Sequence, residues 1–241
     1  MRKFKLLMCF MVFTVFFSSF ATSGYASEGQ VGNHKFTEAE YNMLSQNYSP
    51  EEILEKEQSL DSVMEDIESR GAVVTADEYI NGGSRAGSYN GIVARSGDIL
   101  VARKNGGKKP ANWIGHAAIV TNAGTEITHF PGVDDTVHTA PLKKFFTDNS
   151  EVFVLRHNDY NASIAAAQWA NSYYAKYKDI ATYRIASWRD TLDPNYCSKF
   201  VWQSYYFGSN NKIATFNDPV PLYPMNLVTD NQGTVKLTYV E

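Results

Sequence analysis

Four short apolar runs crowd together in the middle of this chain, each bounded by Gly, Asn or Asp, and helical stretches follow them. The runs are Ile99–Ala102, Gly115–Thr121, Glu126–Phe130 and Val152–Leu155. Ser96-Gly97-Asp98 predicts a turn into the first, and Asn122-Ala123-Gly124 predicts a tight hairpin between the second and third. Helix is expected from Ala162 to Tyr177, with Trp169, Tyr173 and Tyr177 along one side. A further helix is expected from about Pro194 to Tyr206, stopping at Gly208. Pro219, Pro221 and Pro224 then break the chain before a last extended segment, residues 234–240. Strands gathered together, with helices after them, indicate an α+β fold with an antiparallel sheet.

The front of the chain has another texture. Arg2, Lys3 and Lys5 precede an apolar run from Leu6 to Phe20, and Gly24-Tyr25-Ala26 offers small side chains for cleavage. Residues 1–26 are therefore expected to be a signal peptide; the run is short of the ~20 apolar residues of a membrane span, although an uncleaved anchor is the alternative. The expected location is secreted or extracytoplasmic, in a bacterial envelope or the medium, with no stable membrane span once the signal is removed. Removal takes three cations and no acid, so the formal charge of -4 becomes -7. An acidic chain without a Lys/Arg cluster argues against a nucleic-acid partner.

Residues 27–89 read as an N-terminal helical segment and residues 90–241 as the main domain. Thr37-Glu38-Ala39-Glu40 and Ser49-Pro50-Glu51-Glu52 have the form of capping boxes. Ile53, Leu60, Val63, Met64 and Ile67 mark one face of the helix after the second. Such a helix could be a lid, an inhibitory pro-segment or a brace on the main domain.

Cys197 is the only cysteine beyond the signal segment, so it has no intramolecular disulfide partner there. An unpaired thiol in an exported protein points to nucleophilic catalysis, set against the ordinary buried core cysteine. Attack needs a thiolate, and a helix N-terminus or a nearby imidazolium lowers the thiol pKa. Asp193 or Asn195 is expected to cap the helix, with Cys197 in its first turn. Among five histidines, His34 lies in the polar leader, His157 reads as a surface turn residue, and His138 falls in an irregular stretch. His116 opens an apolar strand after Gly115, and His129 sits on the partner strand of the same hairpin. One imidazole would take the thiol proton while the other orients it.

Gly97-Asp98-Ile99-Leu100, Gly115-His116-Ala117-Ala118-Ile119-Val120 and, far downstream, Tyr196-Cys197-Ser198-Lys199-Phe200-Val201 together resemble the NlpC-type papain-like hydrolases. The order, histidine strand before cysteine helix, resembles their circularly permuted, YiiX-like branch. The resemblance spans about residues 90–230 and implies a permuted papain-like fold. It implies Cys197 as nucleophile, His116 as base and His129 as orienter, with Glu126 as the fallback orienter. Permuted relatives tend to carry Glu where His129-Phe130-Pro131-Gly132 stands here. Tyr183 is the loose match to the family's oxyanion-side tyrosine, with Tyr196 as the alternative, and the Cys197 N–H would be the other oxyanion donor.

His129, Asp134, Asp135 and His138 could in principle ligate a metal, but their spacing matches no standard site and the stretch reads as a turn. No metal or cofactor is therefore assigned. The expected function is a secreted cysteine peptidase or amidase that works through an acyl-enzyme. The resemblance implies a peptide or small amide substrate, with cell-wall peptide foremost. A lipid-directed acyl hydrolase or acyltransferase with the same triad, and a catalytically silent binding module, are the alternatives.

Overall fold

The computed structural model describes residue 36 and residues 38–81, 93–105, 115–185, 187–218 and 220–240. The expected signal peptide, His34 and the expected boundary at residues 89/90 lie outside the described residues. Seven strands make one sheet: β1 (Val73–Val74), β2 (Ile99–Asn105), β3 (His116–Thr121), β4 (Glu126–His129), β5 (His138–Pro141), β6 (Asn149–His157) and β7 (Thr234–Val240). Their order across the sheet is β1-β7-β6-β2-β3-β4-β5. Every pairing is antiparallel except the two-residue β1–β7 pair, which is parallel. The helices are α1 (Glu38–Leu44), α2 (Pro50–Ser69), α3 (Ala76–Asn81), α4 (Leu142–Asp148), α5 (Tyr160–Tyr177), α6 (Cys197–Ser209) and α7 (Asn226–Thr229). The fold is thus α+β, a mixed sheet packed with helices.

The central strands are apolar on both faces because both are covered. Ile99, Val101, Ala117, Ile119, Phe153 and Leu155 face a core shared with α2, α5 and α6. Leu100, Ala102, Ala118, Val120, Val152 and Val154 face a smaller core with Tyr79, Leu142 and Phe145. Strand alternation sends successive side chains to these two cores. The hairpin between β3 and β4 turns through Asn122, Ala123 and Gly124, all at positive φ (48°, 58° and 90°).

At α2, Ser49 Oγ accepts from Glu52 N (3.3 Å) and the Glu52 carboxylate accepts from Ser49 N (2.8 Å), completing the capping box. Its buried residues are Ile53, Leu60, Val63, Met64 and Ile67, all in the core that holds Cys197. At about 2 kcal/mol each, their burial contributes roughly 10 kcal/mol as an upper estimate. α2 therefore buries its whole apolar stripe against the main core.

Three local expectations are corrected. His157 is buried, not a surface turn residue: β6 extends through it, its Nδ1 accepts from Asp159 N (3.0 Å), and its ring packs on Tyr205. His138 lies in β5, opposite His129, and not in an irregular stretch. The helix expected from Pro194 starts at Cys197 and runs to Ser209, ending on Asn210 in the left-handed region.

Candidate active site

The start of α6 fixes the thiol. Tyr196 is extended (φ −157°, ψ 168°) and gives no side-chain cap, so Cys197 is the first helical residue. The expected caps are engaged elsewhere. The Asp193 carboxylate accepts from Thr182 N (2.7 Å) and Thr182 Oγ1 (2.9 Å), while Asn195 Oδ1 accepts from Tyr196 N (2.9 Å). The Cys197 N–H is consequently among the first-turn donors for which a helix has no acceptor of its own.

Cys197 is 1% exposed. Burial is the dominant influence on the thiol and pushes its pKa above the ordinary value. Against it act the N–H groups of Ala117 and Ser198, the Ser198 side chain and the Tyr183 hydroxyl, all favouring the anion. The expectation of a thiol held ionised at rest is therefore corrected: desolvation outweighs the donors in this closed arrangement.

His116 owes its place to Gly115, whose φ is +77° and where a Cβ would meet the Ala102 carbonyl oxygen at 2.5 Å. Only glycine lets the chain enter β3 so close to β2. The His116 ring stacks on Phe145 with centroids 5.7 Å apart. His116 Nε2 and His129 Nδ1 are 2.7 Å apart, an imidazole–imidazole hydrogen bond. His116 Nδ1 is buried without a hydrogen-bond partner. Burial pulls the His116 pKa down to about 4, with the Asp148 carboxylate opposing it, and burial then the neighbouring His116 lower that of His129. Both rings are neutral at pH 7. With the Nε2 proton on His116 donated to His129, Nδ1 presents a free lone pair.

The two groups are brought close along the backbone, not through their side chains. Cys197 packs in one core with Ala117, the residue after His116, yet thiol and imidazole make no hydrogen bond. Ala117 packs in the core of Cys197, whereas His116 stacks on Phe145 of the other core. The thiol thus lies with Ala117 on one face of the start of β3 and the His116 ring on the other.

The remaining expected residues separate clearly. Tyr183 packs against the core that holds Cys197, and its hydroxyl is buried without a hydrogen-bond partner; burial first, then the nearby Cys197, push its pKa up. The Tyr196 hydroxyl accepts from Leu222 N (3.0 Å), which occupies it in packing. Glu126 is at the far end of β4, opposite Thr121, where its carboxylate accepts from Asn122. It is therefore not placed to orient His116. Among the described residues, no group of three or more His, Cys, Asp or Glu could hold a metal ion. Ser198 was read only as part of a motif; its Oγ donates to the Leu222 carbonyl (2.6 Å), tying the proline-rich segment to the helix start.

No protein-family model matches the chain. A curated relative, an uncharacterized 30.3 kDa protein of Bacillus thuringiensis, is 29% identical over 136 residues, which is 52% of this chain and 49% of that protein. The chain thus spans about half the length of the curated relative it matches. Among solved structures it is similar to the metalloprotein YiiX from Escherichia coli O157:H7, with a TM-score of 0.45, 16% identity, and 61% of this chain and 97% of that one covered.

Proposed function

We propose that this protein is a cysteine hydrolase of the permuted papain-like type, acting on amide bonds through an acyl-enzyme. The observation that carries the reading is the juxtaposition at the start of β3. Cys197 opens α6 and packs with Ala117, the residue after His116, and His116 pairs with His129 at 2.7 Å while leaving Nδ1 unpartnered.

The thiol and ring are both neutral, so the chemistry starts by proton transfer in concert with attack. Cys197 Sγ bonds to the substrate carbonyl carbon as its proton passes to His116 Nδ1. His129 accepts from His116 Nε2–H and steadies the imidazolium. The developing oxyanion meets the Cys197 N–H and the Tyr183 hydroxyl. His116 then returns the proton to the leaving amine as the C–N bond breaks. Water, deprotonated by His116, attacks the thioester and releases the acid with the thiol restored. A thiol 1% exposed is out of reach of a peptide, so turnover proceeds from a more open conformer.

The substrate class that best suits this chemistry is a peptide or small amide of the cell wall, on an exported enzyme. The test is a substrate panel of wall peptides, small amides and fatty-acyl esters, with Cys197→Ser as the blank. Cys197-dependent cleavage of amides upholds the reading. Activity confined to acyl esters favours the lipid-directed alternative, and none on any substrate favours a silent binding module.

A further inference from the structure

Lys199 lies in the first turn of α6, two residues past the thiol, and it is fully buried. Both features run against local rules: cations are disfavoured near the positive end of a helix dipole, and lysine is seldom buried. Exceptions of this kind concentrate where function requires them. The Lys199 ammonium has three donors, and each has an acceptor on the segment before α6. They are Ser187 Oγ (2.8 Å), Thr191 Oγ1 (2.9 Å) and the Pro194 carbonyl (3.1 Å).

The same segment is held at further points. Gln203, one turn along α6, donates to the carbonyls of Arg189 and Thr191 (2.8 Å for the latter) and accepts from Asn195 Nδ2 (2.7 Å). The Tyr173 hydroxyl from α5 donates to the Leu192 carbonyl. Asn195 is in turn bridged to Tyr183: Arg184 N donates to its carbonyl (2.8 Å), and its own N–H donates to the Thr182 carbonyl (2.9 Å). Hydrogen bonds thus link Lys199 through residues 187–195 to the backbone on either side of Tyr183, whose ring packs against the core that holds Cys197.

We propose that Lys199 is a positioning residue which, together with Gln203 and Asn195, pins residues 187–195 so that Tyr183 is held against the Cys197 thiol. It touches neither the sulfur nor a substrate; it acts through Tyr183. The role rests on the reading of Cys197 as the nucleophile. Burial pulls the Lys199 pKa down to about 8, opposed by Asp218, Asp190 and Asp193, so the ammonium keeps its charge at pH 7.

The test is the pH profile of Cys197 alkylation by iodoacetamide in the native protein, Lys199→Met, Tyr183→Phe and the double variant. Each single change is expected to raise the inflection by about 0.5–1 pH unit, and the double variant to rise no further than Tyr183→Phe alone. A lower melting temperature with an unmoved inflection, or fully additive shifts, would overturn the proposal. Should Lys199→Met not fold, the Ser187→Ala/Thr191→Val pair removes two acceptors on the loop side and should give a smaller shift in the same direction. No shift in that pair would also overturn it. The readout involves no turnover, so the hydrolase reading fails separately, by lack of an acyl adduct on Cys197.

Discussion

The two groups at the start of β3 lie in unlike surroundings. Cys197 is buried near donors: the Ala117 and Ser198 N–H groups and the Tyr183 hydroxyl offset part of the cost of its anion. His116 is buried against an apolar ring, with a single polar partner in His129. Burial disfavours charge in both, but only the first surroundings hold donors that offset part of that cost. A thiol that burial keeps protonated and a ring that burial keeps neutral suit transient proton transfer during attack. A standing ion pair would need both sites to favour charge.

The contrast can be broken most severely at the sulfur. Cys197→Ser should lower amide hydrolysis by at least about 10³-fold while far-UV circular dichroism and the melting curve stay native. Retained hydrolysis would place the nucleophile elsewhere. His116→Ala should cost about 10²–10⁴-fold in kcat. His129→Gln, which disturbs only the orientation and support of His116, should cost less in the same assay. Equal losses would mean that the two rings act as one unit.

The apolar side can be tested without any substrate. An unfolded histidine titrates near 6.5, and folded His116 near 4. Above pH 6.5 both states hold the neutral ring and its burial costs nothing. As pH falls from 6.5 towards 4, the unfolded chain takes up the proton first, so stability declines by about 3 kcal/mol and then levels. Urea midpoints across that window, compared between the native protein and His116→Gln, isolate this contribution. The variant should show the shallower decline, and parallel curves would contradict the burial argument.

The smallest expected effect is at Glu126. Glu126→Gln should leave kcat and KM within about twofold, because its carboxylate is at the hairpin turn with Asn122. A large loss there would make the contrast drawn at His116 incomplete.

The residues that could be read in the sequence were those whose signal is local. The runs at Ile99–Ala102 and Gly115–Thr121 are strands because they are apolar throughout and bounded by turn residues. The α2 stripe buries the five residues that its period marks. His116 and His129 meet because one hairpin sets both. What could not be read depends on distant chain. The cap at α6 fails because Asp193 is drawn to Thr182, and nothing near residue 193 announces it. The burial of Lys199 depends on acceptors at 187, 191 and 194 that fold over it. His157 looks like a surface turn until β7 pairs beside it and Tyr205 covers it. The thiol's resting state was missed for the same reason: its burial comes from α2, α5 and the sheet closing around it, while only the helix start is visible locally.

The most direct measurement is to treat the native protein with p-nitrophenyl acetate, quench in acid, and map acetylation by peptide mass spectrometry. The account predicts an acetyl group on the peptide carrying Cys197 in the native protein and in His129→Gln, and a strongly reduced yield in His116→Ala. Acetylation of Cys197 that is equally fast without the His116 imidazole, or none at all on Cys197, would contradict it.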